Sequence, residues 1–125
     1  MNKKGHRPEV TRLEGLRDQL RRFATDRDWD QFHSPKNLAA ALSVEAAELL
    51  EHFQWISEED SKCLPPEQLH KVGEEMADVL LYLIRLADKL DVDLIDAANL
   101  KMVKNAGKYP VDKARGSSKK YTELK

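Results

Sequence analysis

The chain has 125 residues, 34% of them charged and 6% aromatic, which is enough for one domain with a modest core. Lys and Arg number 21 against 22 Asp and Glu, a balance that argues against nucleic-acid binding through bulk charge. Cys63 is the only cysteine, which excludes an internal disulfide framework and a Cys-based zinc site.

No apolar run approaches the roughly 20 residues that a bilayer span needs, and Met1-Asn2-Lys3-Lys4-Gly5 lacks the apolar stretch of a secretion signal. A cytoplasmic chain with neither nucleic-acid nor membrane partner is expected. Apolar spacing and punctuation predict four helices. The first runs from about Glu9 to Asp26 on Leu13, Leu16, Leu20 and Phe23. The second follows Ser34-Pro35, a good N-cap before a proline at the first helical position, and reaches about Trp55 through Leu38, Leu42, Leu49 and Phe53.

A polar, acidic connector from Ser57 to Lys62 comes next. Pro65-Pro66 opens a long third helix that reaches about Leu90, and Asp93 caps a fourth that should stop at Gly107, before Tyr109-Pro110. No strand or hairpin signal interrupts the pattern, so the expected fold is an all-α four-helix bundle. The expected domain covers residues 1–110, and 111–125 form a basic tail that would be disordered alone. Val79 to Ile84 is apolar or aromatic all round, whereas a surface helix carries one apolar stripe. A second subunit is the simplest cover, so a homo-oligomer is expected.

Glu45 and Glu48 stand three apart on the second helix, and Glu75 and Asp78 stand three apart on the third. Such spacing puts each pair on one helical face. Glu45 falls within the stripe of Leu38, Leu42 and Leu49. Glu75, Asp78 and Tyr82 flank the face of Met76, Leu80, Leu83 and Ala87. Several ionised carboxylates in apolar surroundings need a counter-charge. Either a hard divalent cation gathers oxygens from two packed helices, or the carboxylates pair with Arg and Lys on a solvated face. His52 is the only nearby imidazole on the second helix, so a soft-metal site is not expected.

These residues also carry a resemblance. Leu42-Ser-Val-Glu45-Ala-Ala-Glu48-Leu-Leu-Glu-His-Phe-Gln-Trp55, followed by Glu74-Glu75-Met-Ala-Asp78-Val-Leu-Leu-Tyr82, resembles the ExxE…ExxD signature of MazG-like nucleotide pyrophosphohydrolases, most of all their dCTP pyrophosphatase subgroup. The likeness extends to Arg27-Asp-Trp29-Asp-Gln-Phe32-His33-Ser-Pro-Lys36-Asn37-Leu, to Lys108-Tyr109-Pro110 and to Arg115-Gly-Ser-Ser-Lys119-Lys120-Tyr121-Thr-Glu-Leu.

The resemblance implies an all-α dimer or dimer of dimers that splits a deoxynucleoside triphosphate into monophosphate and pyrophosphate. By the same likeness, Mg²⁺ (or Mn²⁺) is held by Glu45, Glu48, Glu75 and Asp78, the catalytic carboxylates. Base selection falls to Trp29, Phe32, His33, Trp55 and Tyr82, and phosphate contacts to Lys36, Asn105, Lys108, Tyr109, Arg115 and Lys119. A preference for dCTP or modified pyrimidine dNTPs, in a nucleotide-housecleaning role, is the implied biology. Between Met102 and Tyr109 the chain departs from the eukaryotic members, which carry an acidic residue and several arginines there. The alternatives are a related enzyme acting on dUTP or phosphoribosyl-ATP, which would lack the Trp29, His33 and Trp55 set, and a helical dimerisation module without activity.

Overall fold

The first helix, α1, spans Leu13–Asp26 in a computed structural model that describes residues 10–125. Its expected start near Glu9 lies outside the described residues. Leu13, Leu16 and Leu20 form its half-buried face and Ala24 is buried. The helix ends on Asp28, whose φ of 55° is left-handed. The Asp28 N–H donates to the Thr25 carbonyl at 3.1 Å and the Trp29 N–H to that of Ala24 at 2.9 Å. This paired closure needs a left-handed residue after the helix, and Asp tolerates the conformation better than larger side chains do. It also folds Trp29 back onto the helix, where the Trp29 and Phe23 rings meet edge to face at 5.6 Å.

A short 3₁₀ turn, Asp30–Phe32, leads into α2, Pro35–Glu51. Ser34 Oγ accepts from the Asn37 N–H at 3.1 Å, and Asn37 Nδ2 donates to the Phe32 carbonyl at 3.0 Å. The start of α2 is therefore stapled to the segment that carries Trp29 and His33. The end differs from the sequence expectation, because α2 stops at Glu51 and not near Trp55. The Phe53 and Ile56 N–H groups bond three residues back, to Leu50 and Phe53, and the chain turns away. Phe53 and Trp55 keep an apolar register that spacing alone reads as helix.

The acidic connector forms one helical turn, α3, Glu58–Ser61, capped by Ser57 Oγ on the Asp60 N–H at 3.1 Å. Its acidic residues sit at the N-terminus, where the helix dipole favours negative charge. The long α4 spans Pro66–Lys89, as spacing predicts. Both α2 and α1 pack on α4, and α2 does so more extensively. The buried apolar residues, Ala24, Leu38, Val72, Ile84 and Ala87, all lie on these three helices. Leu69, Met76, Leu80 and Leu83 of α4 stay exposed along one line.

The chain divides into two compact units, one ending at Asp91 and the other running from Val92 to Lys125. The second contains α5, Leu94–Lys108, capped by Asp93 on the Asp96 N–H, and α6, Val111–Ala114. A final 3₁₀ turn, Tyr121–Glu123, follows. Tyr121 meets Tyr109 edge to face at 6.1 Å and lies under Lys108 Nζ at 4.7 Å, so the tail has contacts that composition alone does not predict. No strand occurs among the described residues, and no helix among them is long and apolar enough to cross a membrane. The fold is all-α, as expected.

Leu38 is the largest fully buried side chain among the described residues, at 1% exposure. Leu38→Ala should cost about 2–5 kcal/mol of stability, read as a lower denaturation midpoint with an unchanged slope in urea.

Candidate active site

Packing α2 against α4 brings together carboxylates that the sequence separates by 30 residues. Among the described residues, one oxygen from each of Glu45, Glu48 and Glu75 lies within 4.8 Å of the others, and all three side chains are half-buried. Oε2 of Glu45 and Oε2 of Glu75 are buried with no hydrogen-bond partner among the described residues. Such orphaned acceptors are costly. Burial, then hydrogen bonding and charge from Glu75 and Glu48, pushes the Glu45 carboxyl up to about 7. Burial also raises Glu75, with the charges of Glu48 and Asp78 acting in the same direction and a hydrogen bond to Glu45 opposing them. A divalent cation is the group that three converging carboxylate oxygens fit, because it would neutralise the repulsion and occupy the orphaned lone pairs.

Asp78 stands apart from this trio. It is exposed, one turn beyond Glu75, and lines the adjoining cavity of about 460 Å³, a size suited to a small organic ligand. It thus joins the carboxylate cluster to the cavity. Leu16, Gln19, Leu20, Phe23 and Ala24 of α1 form one wall, Trp29 and His33 another, and Asp78, Leu81, Tyr82 and Arg85 of α4 the third. The sequence-predicted Trp29, His33 and Tyr82 therefore come together. Phe32 and Trp55 do not line this cavity and are 59% and 87% exposed.

Lys36 is exposed near the start of α2. Asn105, Lys108, Tyr109, Arg115 and Lys119 lie in the second unit. There Tyr109 donates its backbone N–H to the Asn105 carbonyl at 2.8 Å, and Arg115 and Lys119 are exposed. Their phosphate role stays an expectation from the resemblance.

Sequence reasoning missed Arg85, which lines the cavity and is the buried charged residue among the described residues, 5% exposed. It pairs with Asp30 and donates from Nε to His33 Nδ1 at 3.1 Å. Lys89 Nζ reaches Asp30 at 2.8 Å, and Arg21 grips Asp88 at 2.5 and 2.7 Å. Hydrogen bonding from Lys89 holds the Asp30 carboxyl below its ordinary range, and hydrogen bonding from Arg21 does the same for Asp88. The signal was present: an arginine inside Leu83-Ile84-Arg85-Leu86-Ala87 is as out of place in an apolar run as Asp78 is.

The model of the MazG-like family matches residues 40–124, a range that contains all four acidic positions. The chain belongs to the MazG-like family. Trp29 and His33 precede the matched range, so the family match covers the carboxylates and not this wall of the cavity. This MazG-like chain is 46% identical over 119 residues to mouse (Mus musculus) dCTP pyrophosphatase 1, covering 94% of the chain and 69% of the mouse protein. Human (Homo sapiens) dCTP pyrophosphatase 1 is 46% identical with the same coverage. The crystal structure of a pyrophosphatase from Archaeoglobus fulgidus superposes with a TM-score of 0.70 at 44% identity, covering 83% of this chain and 97% of that one. The pyrophosphohydrolase class expected from the sequence is the class that these relatives carry.

The raised Glu45 carboxyl gives a pH signature. A group whose pKa rises on folding, here from 4.5 to about 7, supports the fold below the unfolded value and loses that support as pH rises through the folded one. The Tm of metal-free protein should therefore fall as pH rises across this window. A divalent cation, by satisfying the ionised trio, should raise Tm more above the window than below it. A thermal shift series with and without EDTA checks both.

Proposed function

We propose that this chain is a magnesium-dependent nucleoside triphosphate pyrophosphohydrolase that converts dCTP, or a pyrimidine dNTP with a modified base, to the monophosphate and pyrophosphate. The observation that carries this reading is the carboxylate trio with its two orphaned oxygens, set beside a cavity lined by Trp29, His33 and Tyr82. Glu45, Glu48 and Glu75, with Asp78 at the cavity side, would hold the metal, with Mn²⁺ the alternative. Bound there, Mg²⁺ supplies neutralisation of the triphosphate charge and polarisation of the phosphoryl group under attack.

The remaining work falls to the protein's own side chains. Glu48 is assigned the attacking water, which it orients and relieves of a proton. The water oxygen bonds to the α-phosphorus as the bond to the α–β bridging oxygen breaks, and pyrophosphate leaves. Trp29 and Tyr82 supply aromatic faces for the base, and the apolar α1 wall excludes water around it. A nucleotide-housecleaning role in the cytoplasm is part of this proposal, and the named activity of the relatives supports the nucleotide chemistry.

A second copy of the chain is proposed as cover for Leu69, Met76, Leu80 and Leu83 of α4. Their spacings of seven, four and three place them on one helical stripe, and their exposures run from 37% to 57%. The assembly would be a homodimer or homotetramer.

Pyrophosphate release from canonical and modified dNTPs, with Mg²⁺ and with excess EDTA, tests the reaction. The expected result is metal-dependent release ranked toward dCTP-like substrates, with Glu75→Gln slower by about 100-fold or more while its circular dichroism is unchanged. No release from any nucleotide would end this reading. Light scattering at micromolar concentration should give at least a dimer, and a monomer would leave the α4 stripe without its proposed cover.

A further inference from the structure

The chemistry assigned above makes no use of Arg85, yet Arg85 is buried against the cavity. Two carboxylates fix its guanidinium. The Nη2 group pairs with Asp30, and Nη1 reaches Asp88 Oδ2 at 3.5 Å. Both carboxylates are anchored on their outer sides, Asp30 by Lys89 and Asp88 by Arg21. With its plane set in this way, the guanidinium turns its Nε–H onto His33 Nδ1 at 3.1 Å.

That hydrogen bond has one chemical consequence. A guanidinium donates only and keeps its proton at any physiological pH. His33 Nδ1 must therefore offer its lone pair, and a neutral imidazole then carries its proton on Nε2. Nε2 has no hydrogen-bond partner among the described residues, and the His33 ring lines the cavity beside Trp29, at 6.3 Å between centroids. Burial, followed by the charges of Arg85 and Lys89, holds the imidazole below its ordinary range, with Asp30 opposing. The Arg85 donor and the neighbouring cations both favour the neutral ring, and the hydrogen bond to Nδ1 gives its dipole a single orientation.

We propose that Arg85 is a positioning residue that locks His33 as the Nε2–H tautomer, giving the cavity a fixed hydrogen-bond donor that selects a base edge with an unprotonated ring nitrogen. The proposal rests on the reading of this cavity as the base pocket. Among pyrimidines, N3 of cytosine is an acceptor, whereas N3 of uracil and thymine carries a proton. A donor that cannot switch to an acceptor meets the first and opposes the second, which leaves a buried polar group unpaired. The discrimination comes from a side chain that need not touch the nucleotide.

Two measurements on the full-length protein test this. The first is a long-range ¹H–¹⁵N correlation spectrum of labelled, nucleotide-free protein, with His33 assigned by His33→Gln. The expected spectrum shows His33 protonated at Nε2 alone. Arg85→Met should restore a mixture of tautomers and move the titration back toward the ordinary imidazole range. A wild-type His33 protonated at Nδ1, or an unchanged tautomer in Arg85→Met, overturns the lock.

The second is hydrolysis of dCTP and dTTP with Mg²⁺. Arg85→Met should lower kcat/KM for dCTP about tenfold, mainly through KM, and shrink the preference for dCTP over dTTP by a similar factor. Equal losses on both nucleotides would make Arg85 merely structural and overturn the proposal. Arg85→Lys keeps a cation for Asp30 and Asp88 but lacks the Nε donor, and it serves as the second variant if Arg85→Met does not fold. No turnover of either nucleotide by the wild type overturns the selectivity together with the functional reading, while the spectrum of the free protein judges the tautomer by itself.

Discussion

The packing of α2 against α4 is the constraint on which the rest of the molecule depends. Leu38 of α2 is buried, as are Val72, Ile84 and Ala87 of α4, and apolar burial of this kind is the main favourable term in folding. The same packing forces Glu45, Glu48 and Glu75 into one half-buried space. Like charges held in poor solvation oppose the fold, so the apolar contacts maintain an electrostatic deficit at the site. That deficit is what the proposed divalent cation would relieve. Stability and the proposed chemistry would thus be coupled through one interface, with the raised Glu45 carboxyl as the trace of that coupling.

Around this centre the protein positions its polar groups by two different devices. Backbone geometry places Trp29. The left-handed Asp28 closes α1, and Ser34 and Asn37 tie the following segment to the start of α2. Charge places His33. Arg85 is held between Asp30 and Asp88, and Lys89 and Arg21 brace these from outside. The two devices meet at the same cavity wall. The network is close to balanced, with three cations against two carboxylates, and this explains how a buried arginine is tolerated there.

The family relationship sharpens the contrast between the two halves of the site. The matched residues 40–124 include the acidic positions, to which the proposed phosphoanhydride chemistry is assigned. Trp29 and His33 lie before that range, on a segment whose placement follows from this chain's own caps and ion pairs. Function in such a fold resides in the particular side chains gathered at the site, and the helices serve as the frame.

Much of the frame was already written in the sequence. Ser34-Pro35, Pro65-Pro66 and Asp93 mark helix starts at which the structure begins α2, α4 and α5, because a side-chain cap on the next few N–H groups and a proline at the first helical position both act locally. The i, i+3 spacing of each carboxylate pair likewise put both members on one face of one helix. Tertiary structure decided the remainder. Spacing marked two pairs of acids, but packing drew three of the four together and left Asp78 at the cavity edge, since a helical face constrains direction and not distance to another helix. Trp55 kept its apolar register yet fell outside the cavity once α2 ended at Glu51. Arg85 and His33 lie 52 residues apart, and only the packed α1–α4 surface with its connecting turn brings donor to acceptor. A linear pattern reports what each helix turns toward its neighbours, and the neighbours decide what it meets.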